Sequence, residues 1–149
     1  MKGGKIMVSQ TKNKPETTED YVAKAERVMR DLSKIITTSK IRDLLAQVNE
    51  LYNDIILETD ETLSQKHIEA IRHLKIKMIY DAGRDRQQTT RREIRDNPKL
   101  ANGRITYFFN ETGLLEMVEN IGNSRTRFLE YCRYFEALVA YHKFYGGKE

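Results

Sequence analysis

The sequence predicts an all-α protein, a single-domain bundle of about five helices with the C-terminal helix at its centre. Three observations carry this. Apolar residues recur in steps of three and four through most of the chain, the period of a helix with one buried stripe. Strand-type alternation occurs nowhere at useful length; Arg104 to Phe109 is the only candidate, and it would have no partner strand. The last segment, Ser124 to Tyr145, is apolar on several sides and uninterrupted by Pro or Gly, so it requires neighbours all round.

Residues 1–16 lack periodicity and contain two adjacent glycines, several lysines and Pro15, the composition of a disordered basic arm. Either Met1 or Met7 would serve as its start. The helical domain is expected over 17–149. Its first helix should run from near Thr18 to near Lys34, with Glu19 and Asp20 in the first turn, where negative charge suits the helix dipole. Tyr21, Val22, Ala25, Val28, Met29 and Leu32 form its buried stripe. The second helix starts within Thr37-Thr38-Ser39, a cluster of capping residues, and Ile41, Leu44, Leu45, Val48, Leu51, Tyr52 and Ile55 keep register for about four turns.

The third helix is expected from about Ser64 to Gly83, with Ile68, Ile71, Leu74, Met78, Ile79 and Ala82 on the core side. Arg84 to Tyr107 is dense in Arg, Gln, Thr and Asn, with Asn97-Pro98 and Asn102-Gly103 as turn signals. A mobile Arg-rich loop is expected there, about 86–106, with Arg91 to Arg95 able to make a turn or two. Such a loop can order on a nucleic-acid strand, with Tyr107, Phe108 and Phe109 just beyond it as candidates to stack on bases; core packing is the preferred reading of the three. A short helix from roughly Glu111 to Ile121 precedes the last one. In that last helix Phe128, Tyr131, Cys132, Phe135, Leu138, Val139 and His142 fall on one stripe, Asn123 and Ser124 stand at the N-cap position, and Gly146-Gly147 ends the run.

The length of 149 residues is enough to bury a core without disulfides or metal. The single cysteine, Cys132, rules out an internal disulfide framework and reads as a packed, reduced thiol. No apolar run reaches the ~20 residues of a membrane span, and no signal peptide is visible; a soluble, cytoplasmic chain is expected. The net charge of +4 is concentrated. Residues 1–14 hold four lysines and no acid, and residues 84–104 hold seven basic residues against three acidic ones. Two cationic segments on a nearly neutral body suit a polyanion partner; charge alone equally allows solvated runs.

The second helix is charged against its dipole. Lys40 and Arg42 occupy the first turn, while Asp54 and Glu58 sit near the end. Each misplacement costs only about 0.3–1 kcal/mol, but free N–H groups, hydroxyls, a Lys and an Arg at one helix start together suit a phosphate. On the third helix His73, Lys77 and Arg84 share a face, which periodicity leaves open as phosphate-binding or solvated. No metal or nucleophile arrangement involves His67, His73 or His142, and there is no Gly-rich phosphate loop and no nucleophile-base pair. Asp81 and Asp85 are four apart, but Arg84 and Arg86 beside them favour ion pairing over metal binding. The residues offer a surface, not a reaction. A nucleic-acid-binding structural subunit and a helical adaptor that binds only protein both fit.

The run YCRYFEALVAYHKFYGGKE, with TTSKIRDLL near Thr37 and KMIYDAGRD near Met78, resembles the small subunit of type III-A CRISPR interference complexes, the Csm type, over roughly Tyr21 to Glu149. The resemblance implies a non-catalytic, cofactor-free subunit whose copies stack into a filament beside the backbone and large subunits. That filament contacts the guide RNA and the target single-stranded RNA through phosphates, without reading sequence. Carried onto the matching motifs, it implies RNA contacts at Lys40, Arg42 and Arg84, and second at Arg133 and Lys143; Lys77 and Arg86 join them as neighbours of Arg84. Between GRD and the penultimate helix the long polar, Arg-rich stretch departs from the pattern.

Overall fold

The computed structural model describes residues 20–147; the expected basic arm, 1–16, lies outside them. The described chain forms α1 (Tyr21–Leu32), α2 (Thr38–Ile55), α3 (Gln65–Gln88), α4 (Arg91–Asp96), α5 (Arg104–Thr112), α6 (Leu114–Asn120) and α7 (Arg125–Phe144), with a 3-10 turn at Pro98–Leu100. Five of these helices start at a side-chain oxygen of the residue just before them, α4 at Thr90 among them. Asp20 accepts from the Val22 N–H, Thr37 from Lys40, Ser64 from His67 and Ser124 from Arg127, which satisfies donors a helix start leaves without partners.

α7 is central, as its sequence requires. Phe128, Tyr131, Cys132, Tyr134, Phe135, Leu138 and His142 are all buried, and α1, α2 and α6 pack along it. α3 lies against α2 on one side and against α5 and α6 on the other. Two polar side chains buried with it find backbone partners on neighbouring elements. The Tyr134 hydroxyl donates to the Thr112 carbonyl at 2.7 Å, and the His142 Nε2–H donates to the Ile36 carbonyl at 2.7 Å. Phe108 and Phe109 are core residues, and Tyr107 is half-buried against them.

Several elements differ from expectation. Tyr21 and Val22 are exposed, because the stripe of α1 meets its neighbours only from Ala25 onward. α3 runs on past Gly83 to Gln88. The single helix expected from Glu111 is two, and it begins earlier, at Arg104. Gly113 separates them at φ +78, a left-handed conformation that costs other residues dearly. Where a loop was expected over about 86–106 there are helical turns with fixed anchors. Thr90 and Glu93 form a reciprocal capping box, Leu100 is buried, and Arg104 pairs with Glu93 at 2.6 Å. The Thr90 N–H and Arg104 together hold the Glu93 carboxyl down at about 2.

The anchor that matters most comes from α3. Gly103 precedes α5 and has no side chain to cap it. Asp85, twenty residues earlier, does so instead, its Oδ2 accepting the buried Ile105 N–H at 2.9 Å. Gly103 permits this approach: at φ +92, a Cβ there would stand 2.8 Å from that same oxygen and 3.0 Å from the Arg86 backbone. Asp85 therefore caps a helix rather than pairing with an arginine. Asp81 accepts from the Gln47 side chain at 3.3 Å.

Candidate nucleic-acid interface

The short turn between α2 and α3 sends them back along one another, and a groove runs between them. At its head, where α2 begins, a cavity of about 240 Å³ is lined by Lys40, Asp43, Asp81, Arg84, Asp85 and Gln88 among others. It adjoins a second of about 330 Å³ that shares Lys40, Asp85 and Gln88 and reaches Thr37, Glu93 and Arg104. Further along, Lys77 and His73 open on a third cavity of about 500 Å³ with Gln47, Glu50 and Asp54. Helix pairing thus brings together Lys40 and Arg84, cations 44 positions apart in the chain, at the positive end of the α2 dipole.

The groove is not purely cationic, since Asp43, Asp81 and Asp85 line its head. Two of these already accept hydrogen bonds, from Gln47 and from the Ile105 backbone. Thr37 takes one of the first-turn N–H groups, that of Lys40, at 3.2 Å. The lysine and arginine side chains are exposed and reach outward from this rim.

The other sequence-predicted residues stand apart. Arg42 follows Lys40 by two residues, so a helix turns it to the opposite flank of the buried stripe, and it lines none of the three cavities. Arg86 is likewise turned away from Arg84, onto a cavity of about 260 Å³ with Ile79, Thr106 and Leu115. Arg133 and Lys143 are exposed on α7. Gln88 and Arg104, which sequence reasoning left in a loop, belong to the groove head; the Thr-x-x-Glu pattern at Thr90 was the signal that this segment is helical.

The single thiol and the buried His67 are both held in packed surroundings. Burial pushes the Cys132 thiol up to about 12, which makes it a poor nucleophile. Buried His67 lies 3.3 Å from Ser64 Oγ and 3.4 Å from Glu58. Among the described residues no three His, Cys, Asp or Glu side chains gather to hold a metal ion, and no helix is long and apolar enough to cross a membrane.

The family model for Csm2, type III-A, matches residues 15–148. The chain belongs to that family. Similar proteins bearing the name CRISPR system Cms protein Csm2 come from three genera. The one from Streptococcus thermophilus is 34% identical over 139 residues, 89% of this chain and 97% of that protein. The one from Mycobacterium tuberculosis is 32% identical over 136 residues, 88% and 95% of the two. The one from Enterococcus italicus is 35% identical over 112 residues, 74% and 68%. Membership makes this chain a small subunit of a type III-A CRISPR effector complex, where it sits with the other Csm subunits.

Proposed function

We propose that this subunit catalyses nothing and supplies fixed cations to RNA held by the complex, in the cytoplasm. The guide RNA and the target single strand present phosphates; Lys40, Arg84 and, further along the groove, Lys77 receive them. Arg42, Arg86, Arg133 and Lys143 meet RNA or neighbouring subunits on the other faces. Sequence is read by base pairing with the guide, and contacts to phosphates fix position without adding sequence information. Copies of the chain stack beside the backbone and large subunits and repeat the cationic groove along the RNA.

The observation that carries this reading is the meeting of Lys40 and Arg84 on one exposed groove at a helix N-terminus. Each comes from a different one of the signature motifs, and nothing in the core requires either. Reversing Lys40 and Arg84 to Glu should weaken RNA binding by the assembled complex at least tenfold, while circular dichroism shows helicity unchanged. The same reversal of Arg42 alone, on the opposite flank, should do less. Full RNA affinity in the double variant, with the fold intact, removes the groove from the RNA path.

A further inference from the structure

The outward ridge of α3 carries an apolar patch that the bundle does not use. Ile76 is 61% exposed, Ile79 48% and Tyr80 65%, and helical spacing makes the three neighbours. Ile79 was expected in the core, but it faces a groove between α3 and α6 that no described side chain fills, and two cavities of about 650 and 260 Å³ meet at it. Beside it Gly83 leaves bare backbone, with nothing within 4 Å of where a Cβ would stand. Arg72 and Arg86 border the patch, and among the described residues neither has an acidic partner. Lys75 is already tied to Glu119.

A second apolar point lies at the turn from α2 to α3, where Leu57 is 81% exposed beside Ile56. Its charge is the opposite. Residues 43–65 hold six acidic residues and no Lys or Arg, and Asp54 and Asp60 are exposed. The turn is also rigid. Glu61 is held by the hydroxyls of Ser124 and Thr126 at 2.7 and 2.6 Å, and the Leu63 N–H donates to the Asn123 carbonyl at 2.8 Å.

We propose that these two faces meet between copies of the chain: the acidic Leu57 turn of one seats on the arginine-bordered Ile76, Ile79 and Tyr80 ridge of the next. Apolar area meets apolar area, and acid meets base on the rim, the pattern expected of a specific interface. A chain cannot satisfy its own ridge, because the pinned turn feeds directly into α3 and Ile76 lies roughly 16 Å along it at 1.5 Å per residue. The two faces differ, so each added copy leaves one turn and one ridge free, and the contact repeats instead of closing. The proposal rests on the stacking stated above and adds which surfaces make it.

The test is site-directed cross-linking of the full chain. Leu57→Cys and Tyr80→Cys are made separately and together, and treated at high concentration with a short bismaleimide; Cys132 is buried and should leave the unaltered chain uncross-linked. The doubly substituted chain should give a ladder of dimers, trimers and higher species. An equal mixture of the two single variants should give dimers alone, and neither single variant should cross-link by itself. Reversing Arg72 and Arg86 to Glu should cut the yield in the mixture several-fold, and reversing Asp54 and Asp60 to Lys on the Leu57→Cys partner should restore it. No cross-link in the mixture, or dimers from Tyr80→Cys alone, overturns the proposal. Sedimentation of the unaltered chain then separates the failures: self-association without the cross-link means the wrong faces, and its absence removes stacking of the free chain as well. Neither result bears on whether Lys40 and Arg84 meet RNA, which their own reversal tests.

Discussion

Replacing Asp85 by Ala removes the oxygen that caps α5 and leaves the Ile105 N–H buried without an acceptor. The carboxylate lies 2.9 Å from that nitrogen, and the donor belongs to the first turn of α5, where a negative charge also meets the helix dipole favourably. A hydrogen bond to a charged group contributes about 1.5–3 kcal/mol net, so a loss of roughly 2 kcal/mol is expected. With a urea slope near 2 kcal/mol per molar, the unfolding midpoint should fall by about 1 M. Asp85→Asn retains an amide oxygen in the same place and should lose less than half as much. Amide exchange gives the local readout: protection at Ile105 should drop by at least tenfold in the Ala variant, since about 1.4 kcal/mol corresponds to a factor of ten. A midpoint within a quarter molar of the unaltered chain, or an Asn variant as unstable as the Ala one, would refute the capping role.

Two further predictions concern stability. Phe135 is 1% exposed and packs edge-on to Tyr131, ring centroids 6.2 Å apart. Phe135→Ala should cost about 3–5 kcal/mol, seen in a urea titration as a loss of most of the domain's stability; a change under 1 kcal/mol would mean α7 is not central. Glu93 is held at about 2 against an ordinary 4.5. A carboxyl depressed on folding adds stability that is complete above the unfolded value and lost as pH falls through the folded one. Glu93→Gln should therefore narrow the difference in stability between pH 5 and pH 2, measured by thermal melts; an unchanged difference would show that Glu93 is unpaired in solution.

The parts of the fold legible in the sequence are those whose partners are periodic. α2 and α7 announce themselves because Ile41 to Ile55 and Phe128 to His142 recur at helical spacing and are bounded by capping residues. The segment from Arg86 to Ile105 was not legible, because what orders it is not local. Asp85 and Ile105 are twenty residues apart, and one buried leucine, Leu100, makes no pattern. The break at Gly113 was hidden for a different reason: it falls inside the run expected as one helix from Glu111 to Ile121, whose Leu114, Leu115, Val118 and Ile121 keep helical spacing. At the groove, sequence supplied Lys40, Lys77 and Arg84 as separate candidates, but only the pairing of α2 with α3 places Lys40 beside Arg84. Adjacent candidates part company: Arg42 and Arg86 sit two residues from Lys40 and Arg84, and a helix turns them by about 200° to other faces.

Type III-A small-subunit identity and an all-helical frame leave one claim to be tested above the rest: that the cations of the α2–α3 groove neutralise RNA phosphates. The direct measurement is the salt dependence of RNA affinity for complexes assembled with the unaltered chain and with Lys40→Ala, Arg84→Ala. Each lost phosphate contact to a single strand should reduce the slope of log affinity against log salt by about 0.7, or about 1.4 for the pair at each altered copy that touches RNA. A slope that stays the same while the altered complex assembles normally would contradict it.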